Sequence, residues 1–295
     1  MATLRELKTR IGSVASTEKI TGAMKMISSA KVHQNEQALR KLQPFKDQLK
    51  SIMGHILATD QDFHSPLTTA RNVRKTAVVV FGSDDGLCGA YNINILKGLL
   101  NYISQLRQRH GSDLELVIFP VGKKMDKAVR RVKDSAIEVR NVNGVDSKMK
   151  AAKVNEFTNS LRDMFIAEEV DMVSVVYMKY KSMSRQTLTC ETLFPVSEET
   201  ISEGVTASGD NQLYIFEPDA NSIFNEVLPM LVLSTMQEIT IENRSSEQAA
   251  RVMAMQSAND NAQKLLESLQ LEYNKLRQQS ITSELLDIVG GQVQR

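Results

Sequence analysis

Tryptophan is absent from this 295-residue chain, and only 5% of its residues are aromatic. That is little for one compact core built around large rings. Cysteine is scarce as well. Cys88 and Cys190 lie far apart and form no CxxC pair, which gives no metal framework and suits a reducing compartment. Neither charge sign dominates: 36 Lys and Arg face 35 Asp and Glu. Such a balance argues against nucleic acid as a partner, which would call for a basic excess. No apolar run reaches the roughly 18 residues that a spanning helix needs. The start, "MATLRELKTR", has no apolar signal core. Contact with a membrane is therefore expected to be indirect.

What is present is helical period at both ends and short β-rich runs between. Leu4, Leu7, Ile11 and Val14 alternate three and four apart, the spacing of a coiled-coil seam. Continued in step, the seam meets Glu18, Thr21, Lys25 and Ser28, where it is expected to fail. Ile20, Met24 and Ile27 offer a shifted stripe there, before Val32, Leu39, Leu42, Leu49, Met53 and Ile56 resume. Pro44 should kink or split the helix. A second long helix is expected from an N-cap at Asp219 to a stop at Gly290–Gly291, with a kink at Pro229. Within it, "NRSSEQAARVMAMQSANDNA" is small, polar and methionine-bearing.

Between the helices, "TAVVVFG", "LELVIFPVG" and "AIEVRNV" read as strands. Residues 170 to 196 suggest two more, turning near Met183 to Arg185, and "QLYIFE" at 212 to 217 a last one. Helices are expected at 91–110, 123–133 and 147–168, and a surface loop at 197–211. Alternation of this kind gives a parallel or mixed sheet covered by helices. The expected fold is thus α/β: a long antiparallel coiled coil of N- and C-terminal helices with an inserted Rossmann-like domain. The boundaries are 1–57, 74–217 and 218–295. If the helices pair from the inserted domain outward, partner positions add to about 276. Met24 then falls near Val252 and Met253, and roughly 15 residues of the second helix overhang.

One stretch raises the question of chemistry. "FGSDDGLCGAYN", residues 81 to 92, follows a strand and opens a helix, as phosphate-binding turns do. Gly82, Gly86 and Gly89 do not make GxGxxG, and no P-loop exists. Asp84 and Asp85 would repel a phosphate unless a metal intervened. Cys88 at a helix start could be a nucleophile or a small packed thiol. His33, His55, His64 and His110 are scattered and suggest no ligand set. The residues leave two readings open: a nucleotide-binding α/β enzyme with helical dimerisation arms, or a chain whose work is done by its helices.

Three motifs in order add to that. "RELKTRIGSVASTEKITGAMKMISSAK" resembles the N-terminal signature of the γ subunits of F-type ATP synthases. "GSDDGLCGAYN" is similar to that family's glycine-rich turn, and "SSEQAARVMAMQSANDNAQKLLESLQLEYNKLRQQSITSELLDIVGG" to its C-terminal signature. The resemblance implies a non-catalytic central-stalk rotor without a cofactor. Its coiled coil would enter a hexamer of three α and three β subunits, which hold the catalysis. Its α/β domain would lie near the ε subunit and the c-subunit ring. The implied contacts to β are Met24, Lys25, Arg251, Gln278, Thr282 and Glu284, with the turn that holds Asp85 and Cys88 near an acidic segment of β. Asp85 stands where the family commonly has a basic residue, and Gly22 where a longer polar one is common. The implied place is the cytoplasmic face of a bacterial inner membrane, or the matrix side if the chain is organellar.

Overall fold

A computed structural model describes residues 3–57, 63–132, 134–142, 144–197 and 216–292, with side chains to 286. The elements run α1 (Leu4–Leu57), β1 (Lys75–Phe81), α2 (Tyr91–His110), β2 (Glu115–Val121), α3 (Lys123–Val129), β3 (Ile137–Val139), α4 (Ala151–Ile166), β4 (Met172–Ser182), β5 (Arg185–Phe194) and α5 (Ala220–Gln292). The expected strand "QLYIFE" and the loop at 197–211 fall largely outside the described residues.

Each long helix starts with a cap. The Thr3 amide donates to Glu6 Oε2 at 2.8 Å, and the Glu6 amide to Thr3 Oγ1 at 3.3 Å, a reciprocal capping box. Asp219 caps α5 by accepting the Ser222 amide at 2.8 Å. Neither Pro44 nor Pro229 ends its helix. Gly290 and Gly291 do not stop α5, which continues to Gln292. Glycine is only a weak helix breaker, and a stop needs a left-handed turn as well.

The chain forms two compact units, residues 30–250 and residues 1–29 with 251–295. The first contains a five-stranded sheet in the order β3-β2-β1-β4-β5. β1 pairs in parallel with β2 and β4, β2 with β3 also in parallel, and β5 closes the edge antiparallel to β4. Val78 and Val80 face α2 and α3 through Ile95, Leu99, Met125 and Val129. Ala77, Val79 and Phe81 belong to the opposite core, with Phe157 and Leu161 of α4, Met53 and Ile56 of α1, and Leu228 and Met236 of α5. Burial on both faces explains why β1 reads as a continuous apolar run rather than an alternating one.

In the other unit, segments of α1 and α5 meet side by side. The expected break in the α1 seam does not occur. Thr21 and Ser28 are only 8% and 3% exposed, whereas Ile20 and Ile27 are 59% and 57% exposed. Polar groups can hold the inside because the helices satisfy them. Thr21 Oγ1 donates to the Thr17 and Glu18 carbonyls, and Asn259 Nδ2 donates to the Glu18 carbonyl at 2.7 Å. A Cβ at Gly22 would sit 3.4 Å from Asn259 Nδ2, an ordinary contact distance, so Asn259 passes directly beside the glycine. The expected register sets position 259 opposite position 17. The observed partners, Glu18 and Thr21, lie within about one turn of it.

Candidate functional site

In an open α/β sheet, ligands usually enter where strand order reverses, beyond the carboxyl ends of the strands. Here that place is the crevice between β1 and β4, and α5 occupies it. Asn243 Nδ2 donates to the Gly82 carbonyl at 3.3 Å, just past β1. Asn243 Oδ1 accepts the Tyr91 hydroxyl at 2.7 Å and lies 3.5 Å from the Met178 amide of β4. One turn on, Ser246 Oγ donates to the Met178 carbonyl at 2.8 Å. These groups are buried and mutually bonded, so the usual ligand crevice is filled by the chain itself.

The turn after β1 is built just as closely. Asn92 receives the Ser83 amide on Oδ1 at 3.1 Å and donates Nδ2 to Ser83 Oγ at 2.8 Å and to Cys88 Sγ at 3.5 Å. Gly89 has φ 60°, a left-handed geometry that costs glycine little. Leu87 takes φ 63° without that freedom, and its side chain is exposed. Gly122, across the turn, would place a Cβ 2.9 Å from the Ser83 carbonyl group. Only glycine allows the two backbones this close.

Where a phosphate would need amide donors, a carboxylate already stands. Asp84 Oδ1 accepts the Lys123 amide at 2.9 Å, at the start of α3. Asp84 Oδ2 accepts the Ser147 amide at 3.1 Å and its hydroxyl at 2.7 Å. Asp85 pairs with Lys148 Nζ at 2.8 Å, both exposed. The pairing raises the Lys148 pKa, chiefly through the hydrogen bond to Asp85. Asp84 thus occupies the Lys123 and Ser147 amides, and both carboxylates of the turn would repel a phosphate. Among the described residues, no group of three or more His, Cys, Asp or Glu is placed to hold a metal ion.

The other residues singled out from the sequence are spread along the helices. Met24 and Lys25 are half-buried on α1. Gln278, Thr282 and Glu284 are exposed on α5, where the Thr282 hydroxyl donates to the Gln278 carbonyl at 2.9 Å. Ile281, Leu285 and Leu286 are exposed among them. Cys88 and Arg251 are buried, at 4% and 5% exposure. Cys88 therefore presents its turn rather than its thiol. Sequence reasoning missed Asn243, Tyr91, Ser147 and Arg244. A buried role for "ENRSS" could have been suspected from its lack of an apolar stripe, but its partners lie 65 to 161 positions away.

A cavity of about 550 Å³ lies away from this turn, between α1, β4, β5 and α5. Lys46 and Glu238 form an ion pair across it. Tyr177 donates to Glu191 at 2.9 Å on its wall, and burial above all pushes the Tyr177 phenol far up. Among the described residues, no helix is long and apolar enough to cross a membrane.

Comparison with known proteins agrees with this architecture. A family model described as ATP synthase matches residues 3–293. An ATP synthase gamma chain of Bacteroides thetaiotaomicron is 39% identical over 306 residues, covering all of both chains. Those of Parabacteroides distasonis and Ralstonia nicotianae are 38% and 33% identical, each covering 99% of this chain and 98% and 99% of their own. Among solved structures, a chain of the Euglena gracilis mitochondrial ATP synthase matches with TM-score 0.63 at 20% identity, covering 98% of this chain and 93% of its own. A chain from the Tetrahymena thermophila central stalk and c-ring matches with TM-score 0.55 at 18% identity, over 81% and 99%. At such identities the structures speak for the fold. With a family model spanning nearly all of the sequence and full-length relatives above 30% identity, the chain belongs to the ATP synthase gamma-chain family.

Proposed function

We propose that this chain is the rotor of an F-type ATP synthase, non-catalytic in itself, and that it couples proton-driven turning of the c-ring to ATP synthesis or hydrolysis in the α/β hexamer. The observation that carries the reading is the bare end of α5. Ile281, Leu285 and Leu286 are exposed within one short stretch of α5, whereas Leu228, Leu231, Met236 and Ile239 of the same helix are buried. Each would contribute about 1.5–3 kcal/mol if fully covered. An apolar sleeve inside the hexamer would cover them. Gln278, Thr282 and Glu284 would then meet β subunits beside that sleeve, with Met24 and Lys25 at the bearing around α1. Arg251 joins them from a buried position. The 84–90 turn, carrying Asp85 above buried Cys88, is the second contact to β. The α/β domain would face ε and the ring, on the cytoplasmic side of a bacterial membrane or the matrix side of a mitochondrial one.

Against the nucleotide-binding reading stand the two aspartates of the turn, one of which already takes the Lys123 and Ser147 amides beside it. A tagged chain expressed with partner α and β subunits should co-purify with both. A chain truncated after Lys275 should lose most of that association. Calorimetry of the free chain with Mg-ATP should show no micromolar binding. A stoichiometric nucleotide site together with failure to capture α and β would overturn the rotor reading.

A further inference from the structure

The 84–90 turn stands on two supports from α5, and they hold different parts of it. Asn243 fixes the two ends, through the Gly82 carbonyl and the Tyr91 hydroxyl. The middle is held otherwise. Asp84 accepts from Ser147, and Asp85 pairs with Lys148. Both aspartates are therefore anchored on the short segment 147–149. That segment is gripped in turn by one side chain of α5. Arg244 Nε donates to the Ser147 carbonyl at 2.5 Å, and its Nη2 donates to the Met149 carbonyl.

We infer that Arg244 is a positioning residue, which ties the partner-facing turn, through Asp84 and Asp85, to α5 so that a push on the turn is carried into the helix. The inference rests on the reading of that turn as a contact to β. The chemistry suits the task. A guanidinium is a rigid planar fork, able to hold two carbonyls two residues apart, which a lysine cannot do. Burial lowers the Arg244 pKa, while Asp146, Glu247 and Asp84 oppose that and favour the charge. Burial also keeps competing water from the two carbonyls. Loss of Arg244 leaves Asn243, Tyr91 and the β1–α2 connection in place, so the domain should fold without it.

The test uses Arg244→Met and Arg244→Lys in the full chain and in the assembled complex. Hydrogen exchange should quicken at residues 84–90 by roughly tenfold or more in the Met variant, the scale of one lost charge-assisted bond. Exchange within Tyr91–His110 should stay as it was. In the complex, the ratio of protons pumped to ATP hydrolysed should fall while hydrolysis continues, with Lys between Met and the parent. A purely structural role would lower melting or assembly and leave that ratio unchanged. Unchanged exchange in the Met variant overturns the inference, as does quickened exchange with an unchanged ratio. An Asp85→Lys variant probes the contact itself. If it lowers the ratio and Arg244→Met does not, only the role of Arg244 fails. If neither does, the contact reading fails as well. Should both Arg244 variants misfold, Ser147→Ala, which removes only the hydroxyl bond to Asp84, should give a smaller change in the same two readouts.

Discussion

Two stretches of α5 invert the usual rule about what goes inside. Around residues 240–249, Thr240, Glu242, Asn243, Ser245, Ser246 and Glu247 are buried. Around residues 271–286, Leu271, Ile281, Leu285 and Leu286 are exposed. The first stretch buries polar groups because fixed partners within the chain satisfy them: Tyr91, Gly82, Met178 and the helix's own carbonyls. The second exposes apolar groups because, among the described residues, nothing covers them. Polarity along one helix thus marks the ownership of the partner. Fixed intrachain contacts can be polar and directional, since their geometry never changes. A contact expected to slide is better served by apolar surface, which has no bond directions to lose.

The comparison breaks most easily at the buried stretch. Asn243→Ala should cost about 3 kcal/mol of unfolding free energy, because the Tyr91 hydroxyl and the Gly82 carbonyl lose a partner where water is excluded. Denaturant melts of the free chain would show it. A loss below roughly 1 kcal/mol would mean that the crevice is not tightly filled.

Next in size is a pH effect from the same stretch. Burial pushes the Glu242 carboxyl up to about 7, with Glu238 and Glu191 adding to the shift and Lys179 and Lys46 opposing it. The folded chain therefore keeps a proton that the unfolded chain releases near 4.5. The associated stability is complete below about 4.5 and is lost as pH rises through about 7, on the order of 2–3 kcal/mol. Glu242→Gln should flatten stability against pH across that window. An unaltered slope would show that Glu242 is solvated and ionised throughout.

The bare stretch should respond the other way round. Leu285→Ser should change the stability of the free chain by less than about 0.5 kcal/mol, yet weaken association with the hexamer by about 1–2 kcal/mol. Equal effects on both would mean that the end of α5 is covered by its own chain. Reduction should matter least. Cys88 is buried after β1 and Cys190 lies on β5. Cys190 is an exposed residue, but partial desolvation of its sulfur against the sheet, then Glu191, pushes the thiol up to about 11, so little thiolate forms near neutrality. Activity of the complex should not change with dithiol. Mass spectrometry finding a Cys88–Cys190 disulfide that switches activity would refute this.

By itself, the sequence determined the elements and their type, since period is a local property. The 3.6-residue period made α1 and α5, the β-branched runs made the strands, and α2 fell at 91–110 as expected. Asp219 capped its helix because capping needs only four consecutive residues. The missing glycine spacing already spoke against a phosphate site. The tertiary structure decided what local pattern cannot express. The α1 seam runs on through buried Thr21 because Asn259, far along the chain, donates to the Glu18 carbonyl and the Thr21 hydroxyl. Likewise, Arg244 looked like one more helical charge until folding set it against the Ser147 and Met149 carbonyls. A side chain's character is written in the sequence. Whether water, the chain or another subunit satisfies it depends on which distant residues arrive beside it.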